Sequence, residues 1–154
     1  LLGNDVTSDP AIRKACCYAL DRNAMVQSVV GGYGEALYTL FAGSNYGTTE
    51  VSYKDNDKTK AIQILEEAGW KDTDGDGIRE KNGVKAQFIL YSVPQDQTYS
   101  PRQGVCLAMQ QQLKEIGIQL DIFSNPENNK KEYNLQKAVI SAVLYDRNGR
   151  RQSS

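Results

Sequence analysis

Residues 9–30 of the 154-residue chain carry apolar residues at helical spacing. Asp9 and Pro10 are typical of an N-cap and a first helical position. The apolar stripe that follows consists of Ile12, Ala15, Cys16, Ala19 and Leu20. Asp21 is placed to cap a second, shorter helix, which the Gly31-Gly32 pair ends. The pattern predicts a helix pair over residues 9–30.

Residues 57–92 predict a helix, a loop and a strand in that order. An Asp at position 55 or 57 caps the helix and Gly69 ends it. Trp70, the only tryptophan, is expected to pack into the core. After the hairpin-type Asn82-Gly83 turn, residues 84–92 alternate as a strand does. The predicted core face of that strand comprises Val84, Ala86, Phe88 and Leu90.

Residues 100–123 predict a helix followed by a strand. Ser100 and Pro101 start the helix, and Gly117 ends it. The expected core stripe is Val105, Met109, Leu113 and Ile116, and the strand's apolar positions are Ile118, Leu120 and Ile122. Strand, helix and strand in succession predict a βαβ unit with two parallel strands, and therefore an α/β fold.

The last part of the chain predicts a third buried strand and a tail. Ala138–Tyr145 is apolar and rich in β-branched residues, whereas residues 146–154 are charged and expected to form a tail.

Composition excludes several classes of function. Eighteen basic and nineteen acidic residues nearly balance, so the chain lacks the basic excess typical of nucleic-acid binding. No apolar run reaches membrane-spanning length. Histidine is absent and no CxxC spacing occurs, which argues against a zinc site and a Ser-His nucleophile, and so against an enzyme. The three cysteines, Cys16, Cys17 and Cys106, predict either small buried side chains or one bridge between Cys106 and the adjacent pair.

One acidic, glycine-rich loop has the spacing of a calcium site. Carboxylates at alternate positions followed by glycine let oxygens converge on a hard cation, and here they are Asp72, Asp74 and Asp76. The twelfth position, where such loops carry a bidentate Glu, is Gly83, and Glu80 at the ninth is a poor substitute. Two interpretations remain open: a calcium loop, or a solvated turn whose Asp side chains accept bonds from nearby backbone N–H groups.

Three stretches together resemble a known family. They are DPAIRKACCYALDRNAMVQSVVGGYGEA (residues 9–36), KAIQILEEAGWKDTDGDGIREKNG (60–83) and AMQQQLKEIGIQLDI (108–122). In order and spacing they are similar to family 5 of the extracellular solute-binding proteins, which serve dipeptide, oligopeptide and nickel ABC importers. The resemblance covers roughly residues 1–123. With YTLFAGS at Tyr38–Ser44, the chain looks most like the nickel-binding branch.

The resemblance implies a lobe of the type II periplasmic-binding-protein kind, with a mixed sheet and flanking helices. Residues 1–154 would form a single domain, most of the second of two lobes that close on a small solute. The implied partners are that solute, a nickel complex or a peptide, and ABC permease subunits. The implied location is extracytoplasmic, either periplasmic or lipid-anchored through an N-terminal segment outside this chain.

The family's cleft-facing segment follows the strand after the βαβ unit. In this chain that place reads AVLYDRNGR, without the Trp and Pro that the family commonly carries there. Tyr145 and Asp146 are the candidate ligand contacts, because they lie at the carboxyl end of the predicted third strand. The alternative is a strand end followed by a solvated Asp. No cofactor is required by this function. The alternative function is a calcium-stabilised structural or interaction module built on Asp72–Glu80.

Overall fold

The computed structural model describes residues 5–38, 54–92 and 101–123. Four helices and four strands follow one another in these ranges. They are α1 (Pro10–Ala19), α2 (Arg22–Val30), α3 (Lys58–Glu67), β1 (Glu80–Lys81), β2 (Val84–Lys85), β3 (Gln87–Tyr91), α4 (Pro101–Lys114) and β4 (Gln119–Phe123). No helix in the described ranges is long and apolar enough to cross a membrane.

The first three helices start where their capping residues predict. The Asp9 carboxylate accepts from the Ala11 amide, Asp21 from the Ala24 amide, and Asp57 from the Lys60 amide. These bonds satisfy backbone N–H groups that a helix leaves unpaired in its first turn. Gly31 ends α2 in the left-handed conformation, with φ of 62°.

The βαβ unit is confirmed. Strands β3 and β4 pair in parallel, with Gln87 opposite Gln119 and Tyr91 opposite Phe123, and α4 forms the crossover between them. The predicted continuous strand from residue 84 to 92 is wrong in one respect, because it is split at Ala86. Before the split, β2 pairs with β1 as an antiparallel hairpin, and after it β3 pairs with β4.

Ala86 marks the change of partner between these two small sheets. Its amide donates to the Arg79 carbonyl on the hairpin side, and its carbonyl accepts from the Gln119 amide on the other. Its side chain is fully buried. One residue therefore joins the acidic loop and hairpin to the parallel pair.

A single apolar cluster connects α1, α3, α4 and the parallel strands. Its members are Val6, Ile12, Ala15, Ala19, Ala61, Leu65, Trp70, Ala86, Leu113, Ile116, Ile118 and Leu120. Trp70 lies in this cluster with 2% exposure, as its sequence position predicts.

Val105 is not part of that cluster, so its predicted place in the core stripe of α4 is wrong. The side chain is 36% exposed. The face that α4 turns toward α2 carries Gly104 instead, where a Cβ atom would come within 2.7 Å of Val29 Cγ1. The backbones of α2 and α4 approach closely at this glycine, and that places Val105 on the outer side.

All three cysteines are free thiols, so the predicted alternative of a bridge to Cys106 does not form. Desolvation, with a smaller effect of neighbouring Cys17, raises the pKa of the Cys16 thiol to about 12. A thiol with so high a pKa is unreactive at neutral pH. The predicted third strand at Ala138–Tyr145 and the tail at 146–154 lie outside the described residues.

Candidate functional site

The carboxyl ends of β3 and β4 form one edge of the parallel pair. The strands stay in register to their ends, where Tyr91 lies opposite Phe123, and the Ser92 amide donates to the Phe123 carbonyl at 2.8 Å. In open α/β sheets ligands bind outside the carboxyl ends of the strands. By this rule the edge at Ser92 and Phe123 is the candidate binding edge within the described ranges.

The residues first expected at the cleft lie elsewhere in the chain. Tyr145 and Asp146 fall outside the described residues, so their role stays a prediction. Sequence reasoning did not nominate Ser92 or Phe123. The signal was nevertheless present, because both close the two strands of the predicted βαβ unit and the same rule applies to them.

The end of helix α4 and the turn after it pack against the parallel pair. Leu113 and Ile116 are each 1% exposed, and Leu120 of β4 is equally buried. The Gln110 side-chain amide donates to the Leu120 carbonyl at 2.8 Å, which ties the helix directly to the strand. A packed crossover helix therefore supports the parallel pair.

The face of the parallel pair that points away from the core carries polar side chains, beginning near the start of the strands. The Asp121 carboxylate accepts from the side-chain amide of Gln119 at 2.9 Å and from that of Gln87 at 2.5 Å. These two bonds, the Gln119 bond first, lower the pKa of Asp121 in spite of its partial burial. The group is a fixed, ionised carboxylate at neutral pH, and its amide partners leave it satisfied.

The acidic loop brings together the carboxylates that its spacing predicts. One oxygen from each of four side chains lies within 4.8 Å of the others, and these side chains are Asp72, Asp74, Asp76 and Glu80. Glu80 thus joins the group although its sequence position made it a poor substitute for the missing twelfth ligand. Gly83 takes no part, because it completes the β1–β2 turn with φ of 77°. Whether the loop binds calcium stays a prediction.

Backbone N–H groups of the loop already occupy most of these oxygens. Asp72 accepts from the Gly75 amide at 2.7 Å and from the Gly77 amide at 3.0 Å. Asp74 and Asp76 each accept from the amide two residues further on. These are the local Asp-turn bonds that the second interpretation of the loop predicts.

Lys85 of β2 supplies a positive charge inside the loop. Its ammonium donates to Asp74 Oδ2 at 3.1 Å and forms a second ion pair with Asp76. The bond from the Asp76 amide and then that from Lys85 lower the pKa of Asp74, while Asp76 and then Asp74 raise the pKa of Lys85. A cation placed between these carboxylates has to displace this ammonium.

Glu80 closes the loop from the hairpin side. Its Oε2 accepts from both the amide and the hydroxyl of Thr73, at 2.9 and 3.1 Å. Its Oε1 is buried, with no hydrogen-bond partner within the described ranges. The loop therefore offers oxygen donors of the kind that Ca²⁺ prefers, with one oxygen not yet used.

Comparison with known proteins defines the class first. The solved structures that resemble the chain are solute-binding proteins with the type II periplasmic-binding-protein fold. The Bacillus subtilis oligopeptide-binding protein AppA, solved with a nonapeptide, gives a TM-score of 0.68 at 35% identity over 79% of this chain and 24% of that chain. Brucella suis NikA, solved with Fe(III)-EDTA, gives a TM-score of 0.73 at 26% identity over 88% of this chain and 27% of the NikA chain.

The sequence then defines the family. A family model described as bacterial extracellular solute-binding proteins, family 5 (middle), matches residues 2–149. The chain belongs to this family, and the match extends beyond the 1–123 of the initial resemblance to include Tyr145 and Asp146. AppA of Bacillus subtilis (strain 168) is 37% identical over 120 residues, or 76% of this chain and 22% of AppA. The nickel-binding periplasmic protein of Escherichia coli K12 is 27% identical over 124 residues, which is 80% of this chain and 23% of that protein.

The chain spans about a quarter of the length of these relatives. Sequence identity is higher to the oligopeptide-binding relative, and the TM-score is higher to NikA. The assignment to the nickel-binding branch stays a prediction.

Proposed function

We propose that this chain supplies one lobe's share of the ligand cleft in the substrate-binding component of an ABC importer. The observation that carries the proposal is the family match over residues 2–149. The parallel pair adds a physical reason, because its carboxyl edge is where an open α/β sheet takes a ligand. The role is capture and release of a solute between two lobes, and it needs no chemical step.

The solute we propose is an oligopeptide, with a nickel complex as the competing candidate. The higher identity to the oligopeptide-binding relative supports the peptide. The similarity to the nickel-binding periplasmic protein of Escherichia coli, at 27% identity, supports the nickel complex. The partners are a complementary first lobe and the importer's permease subunits, and the location is extracytoplasmic, in keeping with the extracellular family description.

Calorimetric titration of the 154-residue chain tests the one-lobe proposal. A lobe alone provides part of the contacts and does not exclude water from the ligand, so binding is weak. We expect no saturable heat with a nonapeptide or with a nickel–histidine complex. Tight, stoichiometric binding of either by this chain alone would overturn the one-lobe proposal.

A calcium-stabilised module is the second candidate function. The observation in its favour is the convergence of Asp72, Asp74, Asp76 and Glu80. It ranks second because Lys85 already pairs with two of these carboxylates. Thermal melts with calcium and with a chelator separate the candidates: a Tm that rises with calcium supports the module, and equal Tm values exclude it.

A further inference from the structure

Arg22, the first residue of α2, lies where four segments of the chain meet. Its guanidinium forms an ion pair with Asp55 and donates to the Cys17 carbonyl near the end of α1. The same group lies over the Tyr38 ring, 5.4 Å from its centroid. Asp55 also accepts from the Arg22 backbone amide at 2.9 Å, so one carboxylate binds both ends of this arginine.

The ion pair is largely removed from water. The Arg22 and Asp55 side chains are 20% and 12% exposed. Exposed ion pairs contribute little to stability, whereas a charged pair shielded from solvent and held by further hydrogen bonds is stronger and fixes a geometry. The contact between Arg22 and Asp55 is therefore suited to positioning the chain.

Tyr38 comes before residues 39–53 in the sequence, and Asp55 comes after them. The Tyr38 hydroxyl donates to Asp55 Oδ2 at 3.4 Å, which brings residues 17 positions apart into contact. Just beyond Asp55, two backbone amides bind the end of α1: Asn56 donates to the Leu20 carbonyl and Asp57 to that of Tyr18, at 3.0 and 2.8 Å. Asn56 and Asp57 are thus bound to the end of α1, and Asp57 is also the N-cap of α3.

We propose that Arg22 is a positioning residue that holds Tyr38 and Asp55 together at the α1–α2 junction. Its guanidinium contacts the Tyr38 ring and forms an ion pair with Asp55. Bringing two residues that are 17 positions apart into contact costs loop-closure entropy, and the contacts with Arg22 offset that cost. The clamp also sets the register in which α3 begins, independently of the proposed transport function.

Hydrogen–deuterium exchange of the 154-residue chain tests this clamp in an Arg22→Gln variant. The amides of Asn56 and Asp57 are expected to exchange about tenfold faster than in the unaltered chain, because they lose the contact that holds Asp55. Amides in the middle of α3 are expected to stay within about twofold, since that helix keeps its packing. The matched control is Arg13→Gln, because Arg13 binds the Thr7 and Ser8 carbonyls at the start of α1.

The proposal is overturned if exchange at Asn56 and Asp57 is unchanged in the folded variant. It is also overturned if the whole chain exchanges faster by one common factor, since that shows global destabilisation without a local clamp. Should Arg22→Gln fail to fold, Asp55→Asn decides the question, because it removes the ion pair and keeps an acceptor for the Arg22 amide. The same local increase is expected in Asp55→Asn, and its absence overturns the clamp.

Discussion

At the scale of single residues, Asp9 joins three parts of the molecule through one carboxylate. One oxygen caps α1, while the other accepts from the Trp70 indole at 2.9 Å and from the Lys81 ammonium at 3.0 Å. Burial raises the pKa of this carboxyl, but the bonds from the Ala11 amide, Trp70 and Lys81 outweigh burial and leave the pKa lower than that of a free Asp. A group whose pKa falls on folding stabilises the fold above its unfolded pKa.

The stabilisation from Asp9 is therefore complete at neutral pH and is lost as the pH falls below about 4. We expect Asp9→Ala to lower the free energy of unfolding at pH 7 by about 2 kcal/mol, because it removes a cap and two further bonds. The loss should shrink toward acid pH. Denaturant unfolding across pH 3–7 measures it, and fluorescence of the single Trp70 reports the lost indole contact.

Glu35 provides the control, since its side chain lies at an exposed position. Glu35→Gln should leave both the stability and its pH dependence unchanged. If Asp9→Ala costs the same at pH 3 as at pH 7, the ionised carboxylate has no part in holding Trp70 and Lys81.

Lys85 gives a second prediction at this scale. Because its ammonium already lies between Asp74 and Asp76, calcium should not change the Tm of the unaltered chain. Lys85→Gln removes that charge and leaves the carboxylates to repel one another, so calcium should now raise the Tm. Differential scanning calorimetry with calcium or chelator measures both.

Lys71→Gln is the matched control, because Lys71 is a second lysine that lies beside Thr73 and Asp74 of the acidic loop. It should acquire no calcium response. A calcium-dependent Tm in the unaltered chain would show that the ion displaces Lys85 and would favour the calcium module.

At the scale of elements, the end of α4 fits against the hairpin through Arg79. The Arg79 guanidinium group donates to the carbonyls of Ile116 and Trp70 at 2.9 and 3.0 Å, and the Arg79 backbone amide donates to the Gly117 carbonyl. Gly117 has φ of 84°, and a Cβ there would lie 2.7 Å from Arg79 Cγ. This position needs glycine both for its backbone and for the space that Arg79 fills.

Gly117→Ala should therefore destabilise the chain by more than about 1 kcal/mol, the usual cost of alanine at positive φ. Gly77→Ala is the control, since Gly77 has φ of 89° and a Cβ atom added there would meet no other atom within 4 Å. The difference in unfolding free energy between the two variants measures the contact with Arg79. Equal losses would show that Arg79 moves aside without cost.

The two faces of the parallel pair predict opposite results for apolar truncation. Leu120 faces the core with 1% exposure, and Leu120→Ala should cost about 3 kcal/mol. Ile89 is 44% exposed on the other face, and Ile89→Ala should change stability by less than about 1 kcal/mol. Urea denaturation compares them, and a large loss at Ile89 would show that this face is covered in solution.

Elements whose ends depend on local chemistry were predictable from the sequence. Asp9, Asp21 and Asp57 cap helices through bonds to amides two or three residues away, so the sequence alone carries the signal. The break at Ala86 and the exposure of Val105 depend on contacts with Arg79, Gln119 and Val29, which are distant in sequence. Alternation and helical periodicity hold no information about such contacts.

In the candidate site too, some features are predictable from the sequence and others depend on contacts made on folding. The convergence of Asp72, Asp74 and Asp76 follows from their spacing and was predictable. The ammonium of Lys85 reaches them only because the Asn82-Gly83 turn folds β2 back beside β1. The carboxyl edge at Ser92 and Phe123 follows from the parallel pairing, which the βαβ pattern predicts.

At the scale of the whole molecule, the chain belongs to a family of bacterial extracellular solute-binding proteins. It covers about a quarter of AppA, and its fold aligns to that structure with a TM-score of 0.68. If the carboxyl edge of its parallel pair serves as one wall of a cleft, this chain should replace the matching segment of such a relative. The replacement tests function without requiring the isolated chain to bind anything.

The most direct measurement is nonapeptide binding by a chimera in which this chain replaces the matching segment of Bacillus subtilis AppA. We expect the folded chimera to bind the nonapeptide in a calorimetric titration with one-to-one stoichiometry, weaker than AppA because the lobe contacts differ. A matched chimera carrying Leu120→Ala reports on the supporting core. A chimera that melts cooperatively yet gives no saturable heat with the nonapeptide or with a nickel–histidine complex would contradict the assignment of this chain to the wall of a solute cleft.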